Sequence, residues 1–359
     1  MLIFDLVLAT RRAEMTGVER YGINLFEAAQ RLRPDCVAFV RDTRPFASER
    51  GLIRVSSVHG GWARLPLEIR RRGLDAEAVV FPTAPASPLF LASRQRLCRI
   101  AHDVFPWSRE RAMPWKGRLL YRYGEDLLAR RYDWLLGTTE PVAQELRALF
   151  RRPDIAACGN APGLNLDGVE AAPPGAPEQF VLAVGTVEPR KDYARLIDLV
   201  EKAPDGAPSV VLVGRAGWGD EIAAIESLAA RRPERFLWLR ALPDDRLLWL
   251  HRRAACFISL SKAEGFNMPL VESAMCGRPL LCSDIAIHRG VAPPWARFAG
   301  REARAERLWS EIATAMAAPP SLDAVNDYRR RYGWERVAER LLEFVETPPI
   351  GAAERSVAC

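Results

Sequence analysis

Short apolar runs alternate with amphipathic stretches along almost the whole chain. Leu2–Leu8, Cys36–Phe39, Val79–Phe81, Leu97–Ala101 and Trp134–Thr138 in the first half have the length and near-continuous apolarity of strands buried on both faces. Phe180–Val184, Val210–Gly214, Phe236–Leu239, Ala255–Leu260 and Pro279–Cys282 repeat that pattern in the second half. Between them, apolar residues recur at helical spacing: from about Met15 to Leu32, over 118–131, 141–150, up to about Lys202, over 220–230 and 244–251, and in the tail over about 303–317 and 333–347. The segment 41–61, rich in Ser, Gly and charge, reads as irregular. Regular alternation of strand and helix predicts an α/β protein of two Rossmann-like, doubly wound, mainly parallel sheets facing across a cleft. Gly168–Pro177 is dense in Pro, Gly and Ala and has no periodicity, so the domain boundary is expected there. The reading gives a first domain over 1–170, a second over 178–331, and a closing helical segment over 332–359 that packs back on the first.

Length agrees with two domains, since 359 residues exceed one ordinary core. No apolar run reaches the roughly 20 residues of a membrane-spanning helix. Asp5 interrupts the apolar start and no basic segment precedes it, so Leu2–Leu8 reads as a strand and not a signal peptide. The seven cysteines are scattered without a C-x-x-C pair, which points to reduced thiols, a cytoplasmic protein and no zinc site. Net charge changes the picture more. Residues 1–172 carry 26 Lys+Arg against 20 Asp+Glu, and the remainder 25 against 25, so the whole excess of +6 lies in the first half. Arg70, Arg71, Arg72, Arg94, Arg96, Arg99, Arg109, Arg111, Lys116, Arg118 and Arg122 dominate it. Such an excess suits peripheral contact with an anionic membrane, at the inner face of the cytoplasmic membrane; an Arg-rich composition bias explains it equally well. No nucleic-acid-binding signature accompanies it.

The candidate chemistry centres on Ser261–Glu272. It follows a buried strand and opens a short helix, with Asn267 or Met268 as N-cap and Pro269 at the first helical position. Backbone N–H groups and the positive end of a helix hold an anion, and Glu264 and Glu272 flank that place. A plain surface helix with two solvated glutamates is the alternative for this stretch alone. Arg190 and Lys191, just after an earlier strand of the same domain, can neutralise a diphosphate. Gly17 lies at a strand-to-helix turn, where it lets a ligand approach the backbone. His102 and Asp103 end the Leu97–Ala101 strand, where α/β sheets collect ligand residues.

Val184-Gly185-Thr186-Val187-Glu188-Pro189-Arg190-Lys191-Asp192, followed by Glu264-Gly265-Phe266-Asn267-Met268-Pro269-Leu270-Val271-Glu272, resembles the GT-B glycosyltransferases of family 4, whose mark is two glutamates separated by seven residues. Thr16–Tyr21 resembles the family's first glycine loop, His102-Asp103 its His-Asp turn and Tyr332-Gly333-Trp334-Glu335 its closing helix. The resemblance implies that Gly17 admits the diphosphate, that His102 contacts the donor sugar, and that Arg190 and Lys191 bind the diphosphate. Glu264 is then expected to hold hydroxyls of the transferred sugar, and the backbone of Gly265, Phe266, Asn267 and Met268 to meet phosphate or sugar. Glu272 is expected to bind the ribose, and the base to rest near Arg240–Leu242. It also implies retention of anomeric configuration by a front-face displacement, with the leaving phosphate helping to deprotonate the acceptor.

No Asp-x-Asp triplet stands ready for a divalent metal, so no metal or other cofactor is expected beyond the nucleotide-sugar co-substrate; Asp244-Asp245 reads as helix capping after Pro243. The chain departs from the family at Asn267-Met268, commonly Gly-Leu, and at His288-Arg289-Gly290, where relatives often have Glu after His-Arg. An Asn side chain at 267 either reaches the sugar or caps the helix. The function expected is transfer of a hexose, GDP-mannose being the first donor to try, to a glycan or lipid-linked saccharide in surface polysaccharide synthesis. UDP-hexoses and a deoxysugar donor stay open. A non-catalytic nucleotide- or sugar-binding module is the alternative. A dinucleotide-dependent oxidoreductase is disfavoured because Gly214–Gly219 has the wrong glycine spacing. A glycosidase is disfavoured because both glutamates lie on one short loop and helix.

Overall fold

Every strand among the described residues lies parallel to its neighbours, which is why the strand sequences read as nearly unbroken apolar runs. The computed structural model describes residues 1–10, 15–41, 46, 48–107 and 122–347, apart from the side chains of Val58 and His59. The first sheet contains β1 (Leu2–Asp5), β2 (Val37–Arg41), β3 (Leu52–Val55), β4 (Ala78–Phe81), β5 (Leu97–Ala101), β6 (Trp134–Gly137) and β7 (Ala156–Ala157), in the order β3-β2-β1-β4-β5-β6-β7. The second contains β8 (Phe180–Val184), β9 (Ser209–Val213), β10 (Phe236–Leu239), β11 (Cys256–Ser259), β12 (Leu280–Ser283) and β13 (Arg297–Ala299), in the order β10-β9-β8-β11-β12-β13. Each sheet is wound outward in both directions from its first strand. The order therefore reverses between β1 and β4, and again between β8 and β11. Open α/β sheets bind ligands at the carboxyl edge beside such a reversal.

The chain divides into two compact units, Met1–Ala161 with Gly333–Cys359, and Pro162–Tyr332. The division falls upstream of Gly168–Pro177, which belongs to the second unit. Arg252 reaches Glu170 at 3.2 Å, and the Ala171 N–H donates to the Asp245 carbonyl at 3.3 Å. The chain returns to the first unit through the helix Trp334–Glu346, which packs on the helix Gly17–Leu32. Val337, Ala338, Leu341 and Val345 are buried along one stripe of it. Each fully buried Val or Leu is worth about 1.5–3 kcal/mol, so this helix is an integral part of the unit it rejoins.

Several elements differ from the expectation. The first strand stops at Asp5, and Leu6–Thr10 form turns. The segment taken as irregular contains β3, whose four residues are all half-buried because it is the sheet's edge. Of the helix expected over 118–131, residues 118–121 lie outside the described residues, and the helix present is Gly124–Leu128. Three elements of the second unit were not anticipated: the helices Ala286–Val291 and Leu322–Arg329, and β13. Each is short, and β13 is an edge strand with only Ala299 fully buried. The six described cysteines are free thiols.

Candidate functional site

In the second unit the carboxyl ends of β8 and β11 lie side by side at the strand-order reversal. From β8 the chain turns at Gly185 (φ 156°) beneath Gly214 (φ 152°), where an added Cβ would meet the Gly185 carbonyl oxygen at 2.0 Å. A one-turn helix, Pro189–Lys191, then presents two cations, and Asp192 in the left-handed region starts the helix Tyr193–Glu201. The loop after β11 is drawn to it by the Lys262 N–H, which donates to the Arg190 carbonyl at 2.7 Å. The result is a cluster about Glu264. Arg190 Nη1 donates to Glu264 Oε2 at 2.5 Å and Lys191 Nζ to Oε1 at 2.6 Å. Ser261 Oγ donates to Oε1 at 2.7 Å, and Arg190 also pairs with Glu188. Glu188 and Glu264 are both buried. Burial alone would raise the Glu264 pKa; the positive charges of Arg190 and Lys191, with the hydrogen bonds from Lys191 and Ser261, overcome it and hold the carboxyl well below the usual range. At Glu188 burial wins over Arg190 and Lys191, and its pKa is raised. Two cations and two carboxylates thus form a compact group beside the place where the next helix begins.

That helix is Met268–Met275, with Asn267 as N-cap and Pro269 at its second position, one residue later than expected. Asn267 has φ 70° and ψ 65°, a left-handed conformation that Asn tolerates better than most residues. Its side chain makes no capping bond. The amide nitrogen instead donates to Ser259 Oγ at 2.8 Å and lies 2.8 Å from His288 Nε2. Phe266 is buried edge-on against Tyr332, with centroids 5.7 Å apart, and Met268 is buried too, so Gly265–Met268 turns toward the cluster as backbone. Glu272 lies about one turn into the helix and is buried. Its Oε1 accepts from the N–H groups of Gly163 at 2.8 Å and Leu164 at 3.1 Å, and Oε2 lies 3.5 Å from His251 Nε2. One oxygen expected to serve a ribose is therefore already engaged by backbone. Leu242 is half-buried in the loop between β10 and the helix Asp244–Arg253.

In the first unit Gly17 is the exposed first residue of its helix, behind Thr16, whose N–H donates to Glu19 at 2.8 Å. His102 follows β5. Its Nε2 lies 2.7 Å from the Pro82 carbonyl, which fixes the hydrogen on Nε2, and its ring stands edge-on to Tyr21 at 4.7 Å. Burial pushes the His102 pKa down to about 4, so the imidazole is neutral near pH 7 and suits a hydroxyl contact better than general-base work. The Asp103 carboxylate accepts from the Phe105 N–H at 3.0 Å, a turn-capping role. Arg99 belongs to no basic surface: it is buried, donates to Glu125 at 2.5 Å and to the Phe81 carbonyl at 3.0 Å. Arg109, Arg111, Lys116 and Arg118 lie outside the described residues.

The structure thus gathers Arg190, Lys191, Glu264, Gly265, Phe266, Asn267, Met268 and Glu272 in one unit, and places Gly17, His102 and Asp103 in the other. Reading by sequence assigned no role to Glu188, Ser261, His251 or His288. Only Glu188, within the Glu-Pro-Arg-Lys run, carried a signal. Among the described residues no three or more His, Cys, Asp or Glu side chains converge as a metal site, and no helix is long and apolar enough to cross a membrane.

Comparison with known proteins gives the geometry its context. Residues 170–332 match the family model described as glycosyl transferases group 1. The serotype-specific mannosyltransferase WbdA of Escherichia coli is 26% identical over 278 residues, covering 68% of this chain but 33% of its own length. The chain therefore spans about one third of the length of such curated relatives. Among solved structures, sucrose-phosphate synthase from Thermosynechococcus elongatus superposes with a TM-score of 0.73 at 16% identity, covering 96% of this chain and 98% of its own. HepE from Anabaena, solved in complex with UDP and glucose, superposes with a TM-score of 0.71 at 15% identity, covering 96% and 99%. Residues 170–332 therefore belong to the group 1 glycosyltransferases, distantly related to bacterial O-antigen mannosyltransferases, and the two sheets have the GT-B fold of these neighbours.

Proposed function

We propose that the chain is a retaining glycosyltransferase that moves a hexose from a nucleotide-diphospho-sugar, GDP-mannose being the first candidate, to a glycan or lipid-linked saccharide in surface polysaccharide synthesis. The observation that carries this reading is the closure of Arg190 and Lys191 on Glu264 beside the start of the Met268–Met275 helix. The WbdA likeness supports mannose, and the UDP bound to HepE supports a nucleotide donor. In the reaction the bond from C1 to the diphosphate breaks while acceptor oxygen forms its bond to C1 on the same face. The acceptor proton passes to the leaving phosphate oxygen. Charge develops on that phosphate, and Arg190, Lys191 and the helix end meet it; losing one oriented donor in a protease oxyanion hole costs about 2.7–4 kcal/mol. Glu264 accepts hydroxyls of the transferred sugar, Glu272 offers Oε2 to the ribose, and His102, neutral with its hydrogen on Nε2, accepts a single hydroxyl bond at Nδ1.

The first test is ligand stabilisation. A nucleotide sugar at a hundred times its Kd adds about 2.7 kcal/mol to stability, read as a higher Tm. A panel of GDP-mannose, UDP-glucose, GDP and UDP is expected to contain at least one that shifts it; no shift with any member overturns the proposal. Release of nucleoside diphosphate on adding an acceptor then separates an enzyme from a binding module, and the product's anomeric coupling reads retention. Because two side-chain cations neutralise the diphosphate, chelation by EDTA is expected to leave the rate unchanged.

We also assign the first unit a contact with anionic membrane. Leu89 and Leu91 on the turn Pro88–Ala92, Leu127 on the helix Gly124–Leu128 packed against it, and Tyr123 at that helix's N-cap are exposed, as are Arg94 and Arg130. Sedimentation with phosphatidylglycerol vesicles but not with phosphatidylcholine vesicles is expected. Equal partition in both would leave the arginine excess as composition bias.

A further inference from the structure

The left-handed turn ahead of the helix is held by a chain of hydrogen bonds whose direction can be worked out atom by atom. Ser283 Oγ donates to the Ser261 carbonyl at 2.6 Å, so its hydrogen is used and it can only accept from His288 Nδ1, 3.1 Å away. The Ser283 carbonyl, 2.9 Å from the same Nδ1, can also only accept. Nδ1 therefore carries the hydrogen, and Nε2 of the buried, neutral ring is a lone pair. A lone pair 2.8 Å from Asn267 requires the amide nitrogen on that side, which leaves the other amide hydrogen for Ser259 Oγ at 2.8 Å. Ser259 Oγ lies 3.3 Å from Ser261 Oγ, and Ser261 Oγ spends its hydrogen on Glu264 Oε1 at 2.7 Å. The hydrogens thus diverge from the Asn267 amide, one branch running through His288 to Ser283 on β12 and the other through Ser259 and Ser261 toward Glu264. His288, Asn267, Ser259, Ser261, Ser283 and Glu264 are all buried.

We propose that His288 is a positioning residue for the transfer reaction: through its Nδ1–H tautomer it fixes the Asn267 amide, and with it the left-handed turn and the orientation of Glu264. Asn267 stands at φ 70°, where a glycine meets no steric strain, so its side-chain bonds offset the strain of a left-handed residue. Two hydrogen bonds of its amide do so, to Ser259 and to His288, and they make the turn depend on a histidine two elements away in sequence. The inference rests on the proposed glycosyl transfer, since it is Glu264's task there that needs the orientation.

The test compares His288→Leu, which removes the ring's bonds to Asn267 and to Ser283 but leaves that from Asn267 to Ser259, with His288→Gln, whose side-chain oxygen can take the place of Nε2 as acceptor. Nucleotide-sugar turnover, as hydrolysis or transfer with whichever panel member stabilises the wild type, is expected to fall ten- to hundredfold in kcat for His288→Leu, with KM for the donor within about twofold. His288→Gln is expected to recover kcat to within a few-fold. Nitrogen-15 spectra of the ligand-free wild type are expected to show His288 with its hydrogen on Nδ1, a reading that needs no activity. A hydrogen on Nε2 overturns the proposal. So does wild-type kcat in both variants, or an equal loss of kcat and Tm in both, which would make His288 a packing residue only. Failure of the wild type to bind any nucleotide or nucleotide sugar would instead refute the proposed function, and the nitrogen spectra would still decide the hydrogen-bond direction.

Discussion

Replacing Glu264 by Gln separates binding from catalysis in a way that few other substitutions can. The change keeps shape and leaves one carbonyl acceptor but removes the charge that Arg190 and Lys191 share at 2.5 and 2.6 Å. At an effective dielectric near 20, each unit pair about 4 Å apart is worth about 4 kcal/mol, or about 8 kcal/mol gross for two. The cost of burying the carboxylate offsets several of these, and the loss expected on breaking such a pair is about 3–5 kcal/mol. Glu264→Gln should therefore lower the urea midpoint of the second unit clearly. The same substitution takes the group formed by Glu188, Arg190, Lys191 and position 264 from neutral to one net positive charge. A diphosphate no longer competes with a carboxylate for its cations, and nucleoside diphosphate affinity should rise by tenfold or more, about 1.4 kcal/mol. Turnover should fall at least a hundredfold. Isothermal titration with GDP and UDP, beside donor turnover, reads both. The reasoning fails if the variant binds the nucleotide that the wild type prefers more weakly than the wild type does, because Arg190 and Lys191 would then not be the diphosphate ligands.

Glu272→Ala is expected to weaken nucleoside diphosphate binding by about tenfold, and to destabilise by about 2–4 kcal/mol because two buried backbone N–H groups lose their acceptor; unchanged nucleotide affinity would remove the ribose role. Burial pushes the His251 pKa down to about 3 against an ordinary 6.5, so the unfolded chain takes up a proton that the folded chain refuses, and stability falls as pH drops from about 6.5 toward 3. His251→Gln should flatten that fall, by roughly 3 kcal/mol between pH 7 and 4.5, in urea titrations at the two pH values; a parallel pH dependence in variant and wild type would refute it. Gly214→Ala should cost at least 3 kcal/mol and loosen the loop carrying Arg190, since the new Cβ would meet the Gly185 carbonyl oxygen at 2.0 Å; a wild-type Tm would contradict the geometry.

Most of the strands and the two-sheet plan were legible because a parallel sheet covered on both faces leaves a local mark, four or five apolar residues in a row. Ala78–Phe81 and Leu280–Ser283 are of that kind, with all four residues buried. Where burial is one-sided the mark fades, so of the two edge strands β3 reads as irregular and β13 goes unnoticed. The site followed the same division. Arg190, Lys191 and Glu264 were legible because residue type and spacing carry their chemistry. Ser261 and His288 were not, since a serine or histidine in an apolar stretch looks the same whether it binds a neighbour or nothing. Their meaning depends on β11 and β12 being adjacent, a fact of topology that no local window contains.

The same topology explains why this chain can dispense with a glycine at 267. A glycine reaches φ near 70° by itself, at the price of a turn that is free to take other conformations. Asn267 is held there by Ser259 on β11 and His288 after β12, so the turn is tied to the pairing of the two strands. Glu264 hangs from the same bonds through Ser261. The carboxylate that we propose touches the transferred sugar is thereby fixed to the rigid part of the sheet rather than to its own loop. A tenfold gain in the order of that carboxylate is worth about 1.4 kcal/mol in the transition state, comparable to what the left-handed turn costs to hold. Ser259, Asn267 and His288, which touch neither cation of the cluster, are therefore residues at which substitution should change turnover more than donor affinity.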